Sequence, residues 1–203
     1  MNTFHLSENE LIKIHNVLSR PDGVIAFPTD TVWGMGCLIN NKEAVDRIYR
    51  IKTRSKIKPL ILLGSKIDHL VPYLDEIPKK AWEIIDKYLP GAVTLVLPKS
   101  EKTPDYITSG YNTVGIRIPD SPPFIDLLNN AVENHVLATT SANISDTKSS
   151  LTRLDVENSI GQYVDYILDD YGFLCKGISS TVLAVDTSEK ITIFRQGAVV
   201  IKI

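Results

Sequence analysis

The residues with the clearest chemical potential lie in one basic segment, RIYRIKTRSKIKPLILL, at positions 47–63. Six cations occur there within twelve residues: Arg47, Arg50, Lys52, Arg54, Lys56 and Lys58. Lys52 and Arg54 are two positions apart, so an extended backbone would point both side chains the same way. A lysine point charge beside an arginine fork suits a triphosphate, because that group concentrates negative charge. The alternative is a solvated run of charge past a helix end, where cations favour the helix dipole.

Hydroxyl-bearing segments follow two predicted buried strands. The first is PTDTVWGMG at 28–36, after the apolar run 24–27, and the second is TTSAN at 139–143. Open α/β sheets bind ligands at the carboxyl ends of their strands, so these side chains are candidates for substrate contacts. Turn formation explains Thr29, Asp30 and Thr31 equally well, and helix capping explains the serine and asparagine of the second segment.

Two arginines outside the basic segment are further candidates for anion binding. Arg117 interrupts an apolar strand predicted at 114–119, and a buried arginine requires an internal acid or an anionic ligand as its partner. Arg195 precedes Gln196 and Gly197, where a structural role is the simpler interpretation. The sequence has neither G-x-x-x-x-G-K-[ST] nor G-x-G-x-x-G, so any nucleotide site would be of another kind.

Other reaction classes lack their usual residue patterns. The four histidines are scattered without zinc-binding spacing, and neither Cys37 nor Cys175 lies in a nucleophile motif. The candidate polar groups are therefore hydroxyls, amides and cations. That set binds anions and orients reactants, and it does not indicate covalent catalysis.

The elements that would position these side chains follow from periodicity and turn residues. A capping box at Ser7–Glu10 predicts the start of a first helix, whose apolar positions extend to Leu18. Further helices are predicted at 42–51, 66–73, 78–88, 121–131 and 152–160, and strands at 24–27, 59–63, 92–97, 114–119, 136–140, 166–168, 180–186, 190–195 and 198–203. Segment 29–36 is loop-like at both ends, and 99–112 and 144–151 are predicted loops. Helices alternate with strands before a strand-only end, which indicates a single α/β domain over residues 1–203 with a mixed sheet.

Bulk composition restricts the function classes. The chain has 203 residues, a formal charge of −2 and 43% hydrophobic residues, which is typical of a soluble globular domain. That charge argues against coating nucleic acid through bulk electrostatics, although a local basic patch is compatible with it. Two distant cysteines, no apolar leader and apolar runs of only about six residues predict a cytoplasmic protein without a membrane span.

Six of these segments, taken in order, resemble one family. They are Pro28–Gly34, Lys52-Thr53-Arg54 with Pro59-Leu60-Ile61, Val114–Arg117, Ser141-Ala142-Asn143, Ser180-Thr181-Val182 and Arg195-Gln196-Gly197. The chain is thereby similar to the YrdC-like family of threonylcarbamoyl-AMP synthases. The resemblance implies a twisted mixed sheet flanked by helices, with a concave cationic surface. It also implies a nucleotidyltransferase that forms threonylcarbamoyl-AMP and pyrophosphate from L-threonine, bicarbonate (or CO2) and ATP, for the t6A modification of tRNAs that read ANN codons.

The resemblance also implies roles for individual residues. Threonine would contact Thr31, Arg117, Thr139 and Ser180. ATP would contact Lys52, Arg54, Lys58, Thr113, Ser141, Asn143, Ser149 and Arg195, with Lys52 and Arg54 as the catalytic cations. Mg2+ is expected on the ATP phosphates and not on a cluster of protein ligands. The implied partners are a downstream threonylcarbamoyl transferase complex and, through the cationic surface, tRNA or double-stranded RNA.

The chain departs from the family pattern at several positions. Trp33 replaces a tyrosine, Asp146 replaces a glycine, and Leu63 stands where some members have a threonine-contacting histidine. The contact implied for Ser180 is ambiguous in register by one residue, because Ser179 precedes it.

Some interpretations stay open beside the synthase. Arg47 and Arg50 lie on a predicted helix and are interpreted as surface charge, and Lys56 has no assigned role. A double-stranded RNA or tRNA-binding module without nucleotidyltransferase activity is the alternative function. A carbamoyl-adenylate-forming domain of the hydrogenase-maturation type is a third possibility, although such domains occur within much longer chains.

Overall fold

The computed structural model describes residues 4–53 and 58–202. Within these ranges nine strands form one sheet: β1 Ile25–Phe27, β2 Gly34–Leu38, β3 Ile61–Gly64, β4 Val93–Pro98, β5 Thr113–Arg117, β6 Val136–Ser141, β7 Tyr166–Ile167, β8 Thr181–Val185 and β9 Ile191–Arg195. The α-helices are α1 Glu8–Leu18, α2 Lys42–Ile51, α3 Ile67–Leu70, α4 Lys79–Tyr88, α5 Asp105–Thr108, α6 Pro122–Ala131 and α7 Arg153–Ile160. None of the helices in this part of the chain has the length and apolarity needed to cross a bilayer.

The strand order across the sheet is β7-β1-β2-β6-β3-β5-β4-β8-β9. Parallel pairs form between β1 and β7, β3 and β5, and β4 and β8, whereas the other neighbours are antiparallel. This pattern confirms the predicted mixed sheet. The register places Ile61 opposite both Gly115 and Thr139, so β5 and β6, which are distant from β3 in sequence, lie beside it near the middle of the sheet.

Helices cover both faces of the sheet, as predicted. Successive side chains of a strand point to opposite faces, so Ala26 and Leu62 join one apolar cluster while Phe27 and Leu63 join another. The larger cluster includes buried residues of α2, α4 and α7, and the smaller one includes buried residues of α1 and α6. Burial of these helix faces fixes the sheet between two layers.

The predicted starts and ends of the first two helices are confirmed. The Ser7 hydroxyl accepts a hydrogen bond from the Glu10 amide, and the Glu10 carboxylate accepts one from the Ser7 amide. Both bonds satisfy amides that lack a partner within the helix, so α1 begins where the capping box predicts. The second helix, α2, has the predicted bounds.

Strand β2 begins at Gly34, within the segment 29–36 that was predicted to be loop-like at both ends, and extends beyond it to Leu38. Two glycines lower the strand signal, and both are required by close packing. A Cβ on Gly36 would lie 2.8 Å from the carbonyl oxygen of Ala138 on β6, and one on Gly34 would lie 2.7 Å from the ring of Phe27. The glycines therefore allow β2 to lie between β1 and β6, and they do not mark a turn.

Two further sequence predictions are wrong. The segment 99–112 is not a simple surface loop, because it contains α5 and fully buries Ile107 and Thr108. No strand forms over 198–202, the described part of the predicted last strand. There the Thr181 hydroxyl donates to the Val199 carbonyl at 2.6 Å and accepts from the Val199 amide at 3.3 Å. These side-chain bonds replace the ladder that a strand would need.

Arg47 is also not simple surface charge. Its guanidinium donates to the Asp165 carboxylate at 2.6 Å and to the carbonyls of Asp22 and Tyr163. Asp165 in turn accepts from the Val24 amide at 2.9 Å. Arg47 therefore ties α2 to the start of β1 and to the segment before β7. Lys56, which has no assigned role, lies outside the described residues.

A pair of histidines lies after β3 and before β6. The rings of His69 and His135 have centroids 4.3 Å apart. The Ser65 hydroxyl lies 2.8 Å from Nδ1 of His69, and Nδ1 of His135 lies 2.9 Å from the Leu128 carbonyl oxygen. Burial and then the charge of His135 lower the pKa of His69, with a smaller lowering from Lys66 and an opposing effect of Asp68.

This pair predicts a loss of stability in mild acid. A folded state that lowers the pKa of His69 stabilises the protein above the unfolded value of about 6.5, and that contribution is lost as the pH falls below it. We expect the melting temperature to fall between about pH 7.5 and about pH 5.5, and to fall less in His135→Asn. Asparagine suits the positive φ of 53° at this position. The control is His15→Asn, at an exposed position of α1, and equal pH profiles for all three proteins would contradict the prediction.

Candidate active site

A cavity of about 650 Å3 opens over the centre of the sheet. Its walls come from β3, β4, β5, β6, β8 and β9, together with the segment between β1 and β2. Nine of the predicted site residues line it: Thr31, Lys58, Thr113, Arg117, Thr139, Ser141, Ser149, Ser180 and Arg195. The fold thus gathers into one cavity side chains that are spread over more than 160 positions of the sequence.

Arg117 is buried at the end of β5 and has three protein partners. Its guanidinium forms an ion pair with Asp30, donates from Nη1 to the Thr31 hydroxyl at 2.8 Å, and donates from Nε to the Gly91 carbonyl at 2.9 Å. The internal acid that a buried arginine requires is therefore Asp30, which is 2% exposed. A guanidinium has five N–H groups, so one on Nη1 and one on Nη2 are left for a ligand.

The segment that carries Asp30 and Thr31 is held from two sides. The Thr29 hydroxyl lies 3.1 Å from the Thr31 hydroxyl and donates to the Val32 carbonyl at 2.6 Å. Backbone amides of Lys176 and Gly177 donate to the carbonyls of Asp30 and Thr31. The Thr31 amide donates to the Thr29 hydroxyl at 3.3 Å, as the turn interpretation expects, and the Thr31 hydroxyl also accepts from Arg117 at the cavity wall.

Lys52 lies behind the cavity wall, and it is not among the lining residues. It is the C-cap of α2 and 2% exposed, and its ammonium donates to the Ser141 carbonyl at 2.9 Å, the Ser141 hydroxyl at 3.1 Å and Asn143 Oδ1 at 3.1 Å. The ammonium thus holds Ser141-Ala142-Asn143, the S-A-N segment, at the end of β6. The backbone is not extended at Lys52, which has αR dihedral angles, or at Thr53, which has a φ of 45°. Arg54 lies outside the described residues.

Arg195, at the end of β9, borders the cavity through Ser180. Its Nε and Nη2 donate to the Ser180 carbonyl at 3.1 and 3.0 Å, and Nη2 lies 3.3 Å from the Ser180 hydroxyl. That hydroxyl lies 2.8 Å from the hydroxyl of Thr94 on β4. Arg195 therefore contacts Ser180, although both Ser179 and Ser180 line the cavity. Arg195 is thus more than a turn residue. Its partner Ser180 lies 15 positions earlier in the chain, so the local sequence around Arg195 did not reveal the contact.

The remaining predicted residues occupy different parts of the site. Thr139 donates to the Ile61 carbonyl at 3.2 Å, and Asn143 holds the loop after β6 through bonds to the carbonyls of Ile144 and Thr147. Lys58 is exposed, with its ammonium 3.8 Å from the Asp146 carboxylate. Its long side chain lies at the mouth of the cavity, where a ligand could compete with Asp146.

Four lining residues lie outside every motif found in the sequence: Thr94, Val96, Tyr111 and Phe194. Thr94 was part of an apolar strand pattern, and Tyr111 and Phe194 carried no motif. Both aromatic side chains are more than half exposed while lining the cavity. Large exposed aromatic residues at a cavity mouth offer apolar faces to a ligand, but only the fold reveals that they lie there.

The charged side chains that line the cavity are cations. Lys58, Arg117 and Arg195 line it, and the described lining residues include no aspartate or glutamate. Burial lowers the pKa of Arg117, which Asp30 opposes, and burial lowers the pKa of Arg195. Arginine is nevertheless protonated at neutral pH, so both side chains remain cations. Within residues 4–53 and 58–202, no three histidine, cysteine or acidic side chains form a group suited to a metal ion.

Fold and site together define a class: a mixed α/β protein whose sheet carries a cavity lined by cations and hydroxyls. A model of the Sua5–YciO–YrdC family, described as telomere recombination, matches residues 18–197. The chain belongs to this family, which confirms the resemblance predicted from the motifs.

Relatives differ in length. The threonylcarbamoyl-AMP synthase of Pyrococcus abyssi is 34% identical over 172 residues, which are 85% of this chain and 50% of that protein. The putative threonylcarbamoyl-AMP synthase of Methanocaldococcus jannaschii is 32% identical over 204 residues, or 98% and 93% of the two chains. The crystal structure of P. abyssi Sua5 complexed with L-threonine is 32% identical, with a TM-score of 0.85 over 96% of this chain and 56% of that one. The chain therefore spans about half of the P. abyssi protein and most of the M. jannaschii protein.

Proposed function

We propose that this protein is an L-threonylcarbamoyladenylate synthase, a nucleotidyltransferase that uses L-threonine, bicarbonate or CO2, and ATP. The observation that carries the proposal is the arrangement of Arg117 and Arg195 around one cavity lined by hydroxyls and free of acidic side chains among its described residues. The relatives named threonylcarbamoyl-AMP synthase and the threonine complex of P. abyssi Sua5 support it.

The amino-acid subsite is proposed at Arg117. Its two remaining N–H groups suit a carboxylate, and charge-assisted bonds of this kind are stronger than neutral ones. Thr31, Thr139 and Ser180 add hydroxyls within the same cavity. Leu63 also lines it, so that position offers packing in place of the imidazole of some family members.

The nucleotide subsite is proposed between Arg195, Lys58 and the hydroxyls of Ser141 and Ser149. These groups line the cavity and suit phosphate oxygens. Lys52 and Asn143 would act from behind by holding Ser141, and Thr113 lies on the wall at the start of β5. The roles proposed for Arg54 and Lys52 as phosphate ligands remain predictions.

The proposed reaction needs little covalent work from the protein. The neutral amine of threonine adds to CO2, a proton leaves, and a carbamate forms. A carbamate oxygen then attacks the α-phosphorus of ATP, the bond to the β-phosphate breaks, and pyrophosphate leaves. Catalysis would come from holding the two reactants close together and from cations placed where phosphate charge develops.

Several partners remain proposals. Mg2+ is expected with ATP, and because the described cavity offers it no carboxylate, no step is assigned to a metal held by the protein. A cytoplasmic location, delivery of the product to a threonylcarbamoyl transferase complex for t6A formation, and contact with tRNA are likewise predictions. The names of the relatives favour a synthase over an RNA-binding module without nucleotidyltransferase activity.

The proposal is tested by pyrophosphate release with L-threonine, bicarbonate and ATP omitted in turn. We expect release only when all three are present. Release that is indifferent to threonine would contradict the proposal. Tight binding of RNA oligonucleotides with a steep inverse dependence on salt, and no threonine-dependent release, would favour the RNA-binding module.

A further inference from the structure

Thr94 is a buried hydroxyl that borders the cavity and has no role in the reaction proposed above. It lies on β4, is 2% exposed, and places its hydroxyl 2.8 Å from that of Ser180. Parallel pairing of β4 with β8 fixes this contact, because Val93 lies opposite Thr181 and Thr94 opposite Val182. The two hydroxyls thus meet across neighbouring strands of a rigid sheet.

The hydroxyls of Thr94 and Ser180 have one proton more than the hydrogen bond between them uses. Ser180 accepts from Nη2 of Arg195 at 3.3 Å, so one of its lone pairs is occupied. Thr94 and Ser180 have two hydroxyl protons, of which only one can lie between their oxygens. The second proton has no acceptor in the hydrogen bonds of the described residues, and both side chains line the cavity. That proton is therefore available to an acceptor on a bound ligand.

The same pair connects the two proposed subsites. Ser180 belongs to the amino-acid subsite, while Arg195 belongs to the nucleotide subsite and touches both the carbonyl and the hydroxyl of Ser180. A phosphate that draws Arg195 towards itself weakens one of the bonds to the Ser180 hydroxyl. Thr94 then remains as the partner that keeps this hydroxyl in place.

We propose that Thr94 is a positioning residue, which orients the Ser180 hydroxyl and thereby couples the binding of L-threonine to the binding of ATP. This inference rests on the proposed function. Thr94 acts through Ser180, so the hydroxyl of Thr94 is required for this role and its methyl group is not. Serine at this position should therefore replace threonine, and valine should not.

The test compares Thr94→Val, Thr94→Ser and a control, Thr108→Val. Thr108 is also buried, but among the described residues its hydroxyl bonds only the Asp105 carbonyl, at 3.5 Å, and it does not line the cavity. We expect T94V to raise KM for threonine about tenfold, as loss of one hydrogen bond does, with a smaller change in KM for ATP. T94S should stay within about threefold of wild type, and T108V should leave both constants unchanged.

Coupling is measured by calorimetry, as the Kd of threonine with and without a non-hydrolysable ATP analogue. We expect the analogue to tighten threonine binding in wild type and T94S, and to do so much less in T94V. In a double-mutant cycle, adding T94V to Ser180→Ala should cause little further loss, because Thr94 acts through Ser180. If T94V melts much lower than wild type, Thr94→Ala takes its place in the same cycle.

The outcomes separate the two proposals. An active wild type with T94V unchanged in KM and in coupling would overturn the inference alone. So would T94S that is as impaired as T94V, or losses from T94V and S180A that simply add. A wild type without threonine-dependent pyrophosphate release would overturn the proposed function, and the role of Thr94 with it.

Discussion

Replacing Asp30 with alanine is expected to lower the free energy of unfolding by about 3–5 kcal/mol, because it leaves a buried charge on Arg117 without its partner. Arg117 is 5% exposed and its ion pair with Asp30 is enclosed by the protein. Its other bonds go to a hydroxyl and a carbonyl, which do not neutralise it. Urea denaturation with pyrophosphate release on the same samples is the measurement, and we expect threonine-dependent release to fall at least about 100-fold.

A matched control for this substitution is Glu157→Ala. Glu157 pairs with Arg153 on the surface of α7, and both side chains are about 40% exposed. Exposed pairs of this kind contribute about 0–1 kcal/mol, so the control should retain stability and activity. Equal, small losses of stability in the two variants would contradict a buried ion pair at Arg117.

Replacing Lys52 with methionine should impair both stability and the use of ATP. The ammonium holds two oxygens of the half-buried Ser141 and one of the buried Asn143, and methionine would leave these acceptors without that donor. We expect the free energy of unfolding to fall by about 2–4 kcal/mol, because polar groups are left unsatisfied, and kcat/KM for ATP to fall about 100-fold. Chemical denaturation and steady-state kinetics check both numbers.

Lys99→Met provides the control for Lys52. The Lys99 side chain is only 13% exposed and bonds Asp105 and the Thr103 carbonyl, but it does not line the cavity. Its replacement should change stability without changing the kinetics of ATP use. A K52M protein with wild-type stability and kinetics would contradict the role of Lys52 in holding the S-A-N segment.

The sequence predicted most elements because their patterns are local. The capping box of α1, the bounds of α2 and the apolar strands depend on neighbouring residues, and the structure bears them out. Strand β2 was missed because its glycines are explained by Phe27 and Ala138, which lie on other strands. Local patterns carry no information about such contacts.

The sequence indicated which kinds of side chain would gather in the cavity, but not the hydrogen bonds and ion pairs between them. A buried Arg117 demanded an anionic partner, yet its identity as Asp30 depends on pairing between residues 87 positions apart. Lys52 was expected to contact a phosphate, which stays a prediction, and its bonds to Ser141 and Asn143 could not be foreseen because they join residues about 90 positions apart. Thr94 and Phe194 became visible only when β4, β8 and β9 were assembled.

The most direct test of the proposed synthase follows labelled carbon into the product. The protein is incubated with ATP, magnesium and 14C-bicarbonate, with L-threonine or with L-valine, and the adenylates are separated by thin-layer chromatography. We predict a labelled adenylate that forms with L-threonine, together with an equal amount of pyrophosphate, and that is absent with L-valine. Pyrophosphate release without labelled adenylate, or labelling that does not depend on threonine, would contradict the proposed function.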